Sequence, residues 1–495
     1  MTTVRRISDA LKIRAEHQRD QIAHDDTRRQ ITFAQWDREA NEIGGGLAAA
    51  GLKPGDRVFL PISNAYAVEM AIAVFAIFRA GGIVCPINPR LSPAEVFDYK
   101  DLCEPRWCIA DGPDLVKDLK FDGCWTVDQM PRDISALPDQ DSLDADADAE
   151  ILGTSGTTGK IKGVVVSHPD LISRGVTGVN MDSTRSTLNA LPLTGSAGNL
   201  GIVMLPVRGG ATAITQRKFD PKGFLELVRE KQPDLVYLVP SMLRLILDHP
   251  DAGDYDFAGV KYLMTGTAPL PHDSVVRAMA NWPHLRIRNN YGMSEGGVVV
   301  GTTSAAQALK PGCVGKMPEH MQLRGEDGQV ITEIGVIGEI YGIQKHPRRY
   351  WNDPVATAAS FVGGWTKEVF GPLTLFWSGC GGALVAAFFT FLPSFVFIFA
   401  GGPLVEASRG NLKLTAPLTA ITAAVVGVIV SLAAFFAIHV FHLELTPARW
   451  DWIAIVIAAT ALLALVRFKV STIRLIIACA VTGLVVSYLP IRPAF

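Results

Sequence analysis

Charged side chains thin out abruptly after about residue 367 of this 495-residue chain, and that break constrains its fold more than any other feature. Leu373 to Ala400, with Pro393 inside it, and Leu414 to Val440 are long runs dominated by Ala, Val, Leu, Ile and Phe. Trp452 to Val466 and Ile473 to Leu489 are shorter runs of the same kind. About 20 apolar residues suffice for a helix to cross a bilayer, because the helix satisfies every backbone polar group internally. The first two runs exceed that length, whereas the third is short enough for a buried core helix. Trp377, Trp450, Trp452 and Tyr488 lie near run ends, as interfacial aromatics do. The expectation is an all-α transmembrane region of about four helices over residues 365–495.

Ahead of the break, residues 1–355 read as an α/β domain with parallel sheets, helices and a small β unit. Trp36, Ala40, Ile43, Leu47 and Ala50 recur at helical spacing up to Gly51. Tyr66 to Arg79 is an Ala-rich helix closed by Gly81-Gly82, and Phe224 to Lys231 is helical. Val58 to Pro61, Ile83 to Ile87 and Leu235 to Pro240 read as buried strands, and strands alternating with helices imply a mostly parallel sheet. Residues 133–150, ending in Asp144-Ala145-Asp146-Ala147-Asp148, read as a surface connection. Short alternating segments from Val330 to Ile343 suggest a small antiparallel unit.

Lys plus Arg total 46 against 48 for Asp plus Glu, a formal charge of −2, so no nucleic-acid partner is expected. The seven cysteines (Cys85, Cys103, Cys108, Cys124, Cys313, Cys380 and Cys479) are scattered and odd in number, which fits a reducing compartment. Cys103 and Cys108, the closest pair, have no second Cys or His pair at zinc spacing. Met1-Thr2-Thr3-Val4-Arg5-Arg6 lacks an apolar signal core, so the α/β domain is expected in the cytoplasm.

The densest chemical signal is Leu152-Gly153-Thr154-Ser155-Gly156-Thr157-Thr158-Gly159-Lys160-Ile161-Lys162-Gly163-Val164. A strand runs into glycines and hydroxyl residues and returns as strand Val164-Val165-Val166. Glycines let backbone N–H groups approach phosphate oxygens, hydroxyls add donors, and lysine adds a point charge. The P-loop spacing fails, because Gly153 and Gly159 stand one residue too far apart and Ile161 follows Lys160. A second element, Asn290-Tyr291-Gly292-Met293-Ser294-Glu295, offers an aromatic face, a hydroxyl and a carboxylate. Gly292-x-Ser294-x-Gly296 also satisfies the hydrolase elbow, but Val298-Val299-Val300-Gly301 reads as strand where the elbow needs helix. A third element, Thr265-Gly266-Thr267-Ala268-Pro269-Leu270-Pro271, is a strand-to-helix turn.

Together these elements resemble the signatures TSGTTGxPKG and YGxTE of the adenylate-forming superfamily, the AMP-dependent synthetases and ligases of acyl-CoA synthetase type, over residues 7–360. The resemblance implies that Thr154, Ser155, Gly156, Thr157, Thr158, Gly159 and Lys162 grip ATP phosphates. It implies that Thr267, Ala268 and Pro269 line the adenine and acyl pocket, and that Tyr291 and Gly292 receive adenine. It assigns Ser294 and Glu295 to catalysis, Ser294 on a phosphate and Glu295 on Mg²⁺. The implied reaction joins ATP and a carboxylic acid into an acyl-adenylate with release of pyrophosphate. CoA is the later co-substrate, as in the acid–thiol ligases of fatty-acid metabolism.

Departures accompany the match. Ile161 stands at the usual Pro, and Pro192-Leu193-Thr194-Gly195 replaces the family's P-L-F-H. His168 reads as a helix cap. Arg349-Tyr350-Trp351-Asn352-Asp353-Pro354 still follows the family, which then continues G-W-x-x-T-G-D with a ribose-gripping Asp. This chain reads Gly364-Trp365-Thr366-Lys367-Glu368-Val369-Phe370. That Asp is missing, and the lid domain with its catalytic Lys is not expected. A severe loss of rate follows, because opposing charge at the reacting phosphate is gone.

From Gly363 to about residue 441, Phe391-x-Pro393-x-Phe395, Gly402-Pro403-x-x-Glu406 and Arg409-Gly410-Asn411 resemble the C-terminal part of a chromate transporter. Glu406 and Arg409 between two spans would suit an oxyanion, although an ordinary interfacial loop is the plainer reading. If all four runs span, Arg409, Lys413, Arg467, Lys469 and Arg474 share one side and Lys367, Arg449 and Arg492 the other. Positive-inside then opposes a cytoplasmic synthetase. Three readings follow: a membrane-attached adenylating domain with weakened activity, a membrane oxyanion (chromate) transporter, and an inactive fusion of the two.

Overall fold

A computed structural model describes residues 4–155, 161–173, 184–199, 203–296, 299–325, 328–333, 335–343, 345–363 and 365–367, and beyond them only 442–443, 449–450, 458, 460, 461 and 467. The chain divides into two compact units, Met1–Leu375 and Phe376–Phe495. The four apolar runs lie almost wholly outside the described residues. Among the described residues no helix is long and apolar enough to cross a membrane. In the second unit a short antiparallel pair joins His442–Leu443 to Arg449–Trp450, between the second and third runs.

The first unit is α/β, built on three sheets. An eight-stranded sheet runs in the order Val299–Gly301, Arg286–Gly292, Tyr262–Thr265, Leu235–Leu238, Ser186–Asn189, Thr212–Thr215, Ile22–Asp25, Gln30–Thr32. Its interior pairings are parallel and its two edge pairings antiparallel. A seven-stranded sheet runs Arg349–Tyr350, Ile161–Ser167, Asp148–Ser155, Ile83–Pro86, Arg57–Leu60, Trp107–Ala110, Gly123–Thr126. Strands such as Ile83–Pro86 are buried along their whole length, so they read as continuous apolar runs and not as alternation.

The helix Phe33–Ala49 opens on a capping box: the Thr32 hydroxyl accepts from the Gln35 N–H, and the Gln35 side chain accepts from the Thr32 N–H. Trp36, Ala40, Ile43 and Leu47 are fully buried on it. The next helix begins at Ala67 after a 3₁₀ turn over Asn64–Tyr66, slightly later than the sequence suggests, and every residue of Ala67–Arg79 is buried.

The stretch after Pro131 departs from a simple surface connection. It packs on Gly44, Gly45 and Gly46, where a Cβ on Gly45 would stand 1.9 Å from the Asp133 carbonyl oxygen and one on Gly46 2.2 Å from that of Pro131. The strand Asp148–Ser155 then begins inside the segment read as connection.

The third sheet is antiparallel and orders Met321–Arg324, Glu339–Ile343, Trp365–Lys367, Phe361–Val362. It is the small β unit expected near Val330 to Ile343. The Arg324 guanidinium lies between Tyr341 and Trp365, 4.8 and 4.9 Å from their ring centroids. The helix Pro354–Ser360 leads into this sheet, and the Asp353 side chain caps it by accepting from the Ala356 N–H at 2.8 Å.

Candidate active site

Strands Asp148–Ser155 and Ile161–Ser167 form the antiparallel hairpin that the Gly/Thr-rich motif implies, with Thr154 opposite Lys162. Gly156, Thr157, Thr158 and Gly159 lie outside the described residues, as does the Ser155 side chain. Thr154 and Lys162 flank that turn. Gly153 and Gly163 are cross-strand partners, and the space a Cβ would need on each is filled by Tyr99 and Ile151 respectively.

In the eight-stranded sheet Tyr262–Thr265 and Arg286–Gly292 are parallel neighbours, so both motifs following them leave from the carboxyl ends of adjacent strands. Ligands of open α/β sheets bind at such ends. Thr267, Ala268 and Pro269 are exposed there, with Thr267 held at φ +69°. Gly266 approaches the next strand so closely that a Cβ would stand 3.1 Å from the Asn290 carbonyl oxygen. Tyr291 is half-buried and pairs with Val300, and Gly292 is exposed. Ser294 sits in a turn followed by strand Val299–Gly301, which removes the hydrolase elbow.

Two of the expected residues, Glu295 and Lys162, meet on Tyr350, to which the motifs assign no role, and a third, Thr154, approaches Glu295. The Tyr350 hydroxyl donates to Glu295 Oε1 at 2.9 Å, and Thr154 Oγ1 lies 3.5 Å from the same oxygen. Lys162 Nζ stands over the Tyr350 ring, 4.8 Å from its centroid. The ring therefore joins a cation on its face to a carboxylate at its hydroxyl. Burial first, and the Glu295 carboxylate second, push the Tyr350 phenol above its usual range, so it remains a donor.

Arg348, two residues earlier, is almost wholly buried. It donates through Nε and Nη2 to Asp170 Oδ2 at 2.9 and 2.6 Å, and through Nη1 to the Ser294 carbonyl. The segment 348–350 thus holds the Ser294–Glu295 turn from two sides. The Trp351 N–H donates to the Gly163 carbonyl at 2.7 Å, which fixes this segment on the hairpin. The signal is present in Arg349-Tyr350-Trp351-Asn352-Asp353-Pro354, but nothing local in sequence pairs it with Glu295.

His168 has a different place from the cap expected of it. Its ring is buried against Phe78, at 5.0 Å between centroids, and its Nε2 accepts from Arg6 Nη2 at 2.6 Å. Burial, followed by the Arg6 charge, lowers its pKa well below the ordinary histidine value and keeps it neutral. The Pro192-Leu193-Thr194-Gly195 departure is held by Asn64, which donates to the Leu191 carbonyl at 2.8 Å and accepts from the Leu193 N–H at 3.1 Å.

Residues 11–346 match the family model described as AMP-binding enzyme, and residues 353–484 match the one described as chromate transporter. Feruloyl-CoA synthase of Amycolatopsis sp is 28% identical over 348 residues, spanning 68% of this chain and 69% of that protein. The long-chain-fatty-acid–CoA ligase FadD13 of Mycobacterium tuberculosis (strain H37Rv) is 28% identical over 363 residues, spanning 68% and 70%. Among solved structures, the inhibitor-bound N-terminal domain of FACL13 from Mycobacterium tuberculosis superposes with a TM-score of 0.66 at 24% identity, covering 73% of this chain and 95% of that one. The anthranilate CoA ligase AuaEII with anthranoyl-AMP gives a TM-score of 0.66 at 20% identity, covering 73% of each chain. These two are a likeness of fold.

Proposed function

This chain belongs to the AMP-binding enzyme family over residues 11–346, and on that premise we propose that its first domain, residues 1–355, binds ATP and a carboxylic acid and condenses them to an acyl-adenylate. The observation that carries this reading is the cluster in which Glu295 and Lys162 meet Tyr350 while Thr154 approaches Glu295. Thr154 through Gly159 and Lys162 receive the phosphates. Tyr291 and Gly292, with Thr267, Ala268 and Pro269, receive the adenine and the acyl group. Ser294 contacts a phosphate. The substrate carboxylate attacks the α-phosphorus and pyrophosphate leaves. Lys162 offsets charge on the phosphates, while Tyr350 holds Glu295 in place.

The donor set fits Mg²⁺. Glu295 and Thr154 offer hard oxygens close together. Among the described residues no group of three or more His, Cys, Asp or Glu could hold a metal. Mg²⁺ is commonly held by one or two carboxylates together with substrate phosphates, so Glu295 would hold it and the ion would neutralise the departing pyrophosphate.

Adenylation is weakened in this reading. The ribose-binding Asp of the family's G-W-x-x-T-G-D has no counterpart in Gly364-Trp365-Thr366-Lys367-Glu368-Val369-Phe370, and the transporter match occupies residues 353–484 where the lid would follow. CoA transfer, which needs that lid, is lost. The test is ATP–pyrophosphate exchange by the full chain across a panel of aromatic and long-chain carboxylates. Exchange above that of Tyr291→Ala and Glu295→Gln supports the reading. Exchange equal to both variants with every acid leaves an inactive fusion.

The chromate transporter match favours a second reading for residues 365–495, membrane passage of an oxyanion. Cells expressing the full chain would then differ in chromate sensitivity from cells expressing residues 1–367. Equal sensitivity removes this reading.

A further inference from the structure

Cys108 lies in strand Trp107–Ala110 and Cys124 in the edge strand Gly123–Thr126, and the two are Cα partners in a parallel pair. Neighbouring strands run about 4.7–4.9 Å apart and partners project to one face, inside the Cα separation of about 4.4–6.8 Å that a disulfide spans. Each thiol shifts the titration of the other. Their surroundings differ. Cys108 is fully buried in the cluster that holds Phe59 and Tyr99, whereas Cys124 is exposed.

Burial, and then the neighbouring Cys124 thiol, hold Cys108 well above the usual thiol range. The neighbouring Cys108 thiol lowers the pKa of Cys124. An exposed sulfur with thiolate character is the one an oxidant reaches, and a neighbouring thiol is what resolves it.

We propose that Cys108 and Cys124 form an oxidisable dithiol that closes to an intrachain disulfide on reaction with a small hydroperoxide. The Cys124 thiolate attacks the terminal peroxide oxygen. The O–O bond breaks, the alkoxide or hydroxide leaves with the electron pair, and Cys124 becomes a sulfenic acid. The Cys108 sulfur then displaces that hydroxyl, which departs as water with the Cys108 proton, and the S–S bond forms. Two thiols are oxidised by two electrons and one hydroperoxide is reduced to water and an alcohol, or to two waters for hydrogen peroxide. Cys85 and Cys103 also lie in the cluster that holds Cys108, but both are fully buried, so they serve as an internal control that oxidant does not reach.

The reduced full chain in detergent is treated with hydrogen peroxide, alkylated, digested and mapped by mass spectrometry. The expected product is a cross-linked pair of peptides holding Cys108 and Cys124, lighter by two hydrogens and separated again by dithiothreitol, while Cys85 and Cys103 stay alkylatable once the protein is unfolded. Cys124→Ser, a surface change, should abolish the cross-link. Cys108→Ser should leave a Cys124 sulfenic acid that dimedone traps. The proposal is overturned if Cys124 stops at sulfenic or sulfinic acid with Cys108 still alkylatable. It is equally overturned if Cys124 bridges only to a second copy of the chain, or if both thiols survive peroxide.

Discussion

At the scale of single residues, Tyr350 carries the most consequence for the proposed site. It is buried, it donates to Glu295, and its ring receives Lys162. Tyr350→Phe keeps the ring and its packing but removes the donor. A hydrogen bond to a charged group contributes about 1.5–3 kcal/mol to stability, so Tm should fall by roughly 2–4 °C for a body of this size, and Mg²⁺-nucleotide affinity should fall as Glu295 loses its orientation. Calorimetric titration with Mg²⁺ and ATP measures it, and unchanged affinity would remove Tyr350 from the site. A second residue sets pH behaviour. His24 is fully buried edge-on to Trp36, 4.6 Å between centroids, and burial lowers its pKa to about 3. The unfolded chain binds that proton near pH 6.5, so stability is full above about 6.5 and declines as pH falls toward about 3. His168 acts in the same direction. Between pH 6.5 and 5 a single such group removes about 2 kcal/mol. Urea midpoints measured over that range should fall, and the fall should shrink in His24→Phe. A midpoint independent of pH would contradict a neutral buried His24.

At the scale of elements, the helix Phe33–Ala49 and the chain crossing it are fitted through glycine. Gly45→Ala would gain about 1 kcal/mol of helix propensity. Against that, the new Cβ would meet the Asp133 carbonyl at 1.9 Å, a backbone atom that cannot swing aside as a side chain can. The crossing chain is also tied by Asp133 N–H donating to the Glu42 carbonyl at 2.8 Å, and by Arg132 to Glu39 and Glu42, both at 2.8 Å. Overpacking costs about 1–3 kcal/mol, and contact with a backbone atom lies toward the upper end, so the clash wins and Tm should drop by about 1–3 °C, with faster proteolysis between residues 131 and 147. Calorimetry and limited digestion together check it; an unchanged or raised Tm would show that the crossing chain yields freely. Thr154, Lys162, Tyr291 and Glu295 stand out in the sequence because each lies in a compact run whose residue types suggest phosphate, base or cation. Tyr350, Arg348 and Asp170 do not, because their partners come from elements far away in the chain. The Gly44-Gly45-Gly46 run was readable as glycine, but its reason lies in a segment nearly ninety residues later.

At the scale of the molecule, the question is where the synthetase-like body stops. The transporter match begins at residue 353. Yet the helix Pro354–Ser360 and both strands of the hairpin through Lys367 belong to the first compact unit. Trp365–Lys367 pairs with Glu339–Ile343 and supplies one face of the Arg324 stack, and Phe361 packs edge-on to Tyr350 at 5.5 Å. Cutting at 352 therefore removes two of four strands from the third sheet and a contact from the residue that orients Glu295. Cutting at 367 removes neither. Residues 1–367 should fold cooperatively and remain in the supernatant after ultracentrifugation of lysed cells, because the apolar runs are gone. The full chain should sediment with the membranes. Residues 1–352 should melt about 5 °C or more below residues 1–367, equivalent to about 4 kcal/mol for a body of this size. Equal melting of the two fragments would mean that the 353–367 segment is a passive junction. If the lower stability appears together with weaker nucleotide binding, the seam between the two matched families lies inside a cooperative unit, and the transporter-matched residues help to shape the proposed ATP site.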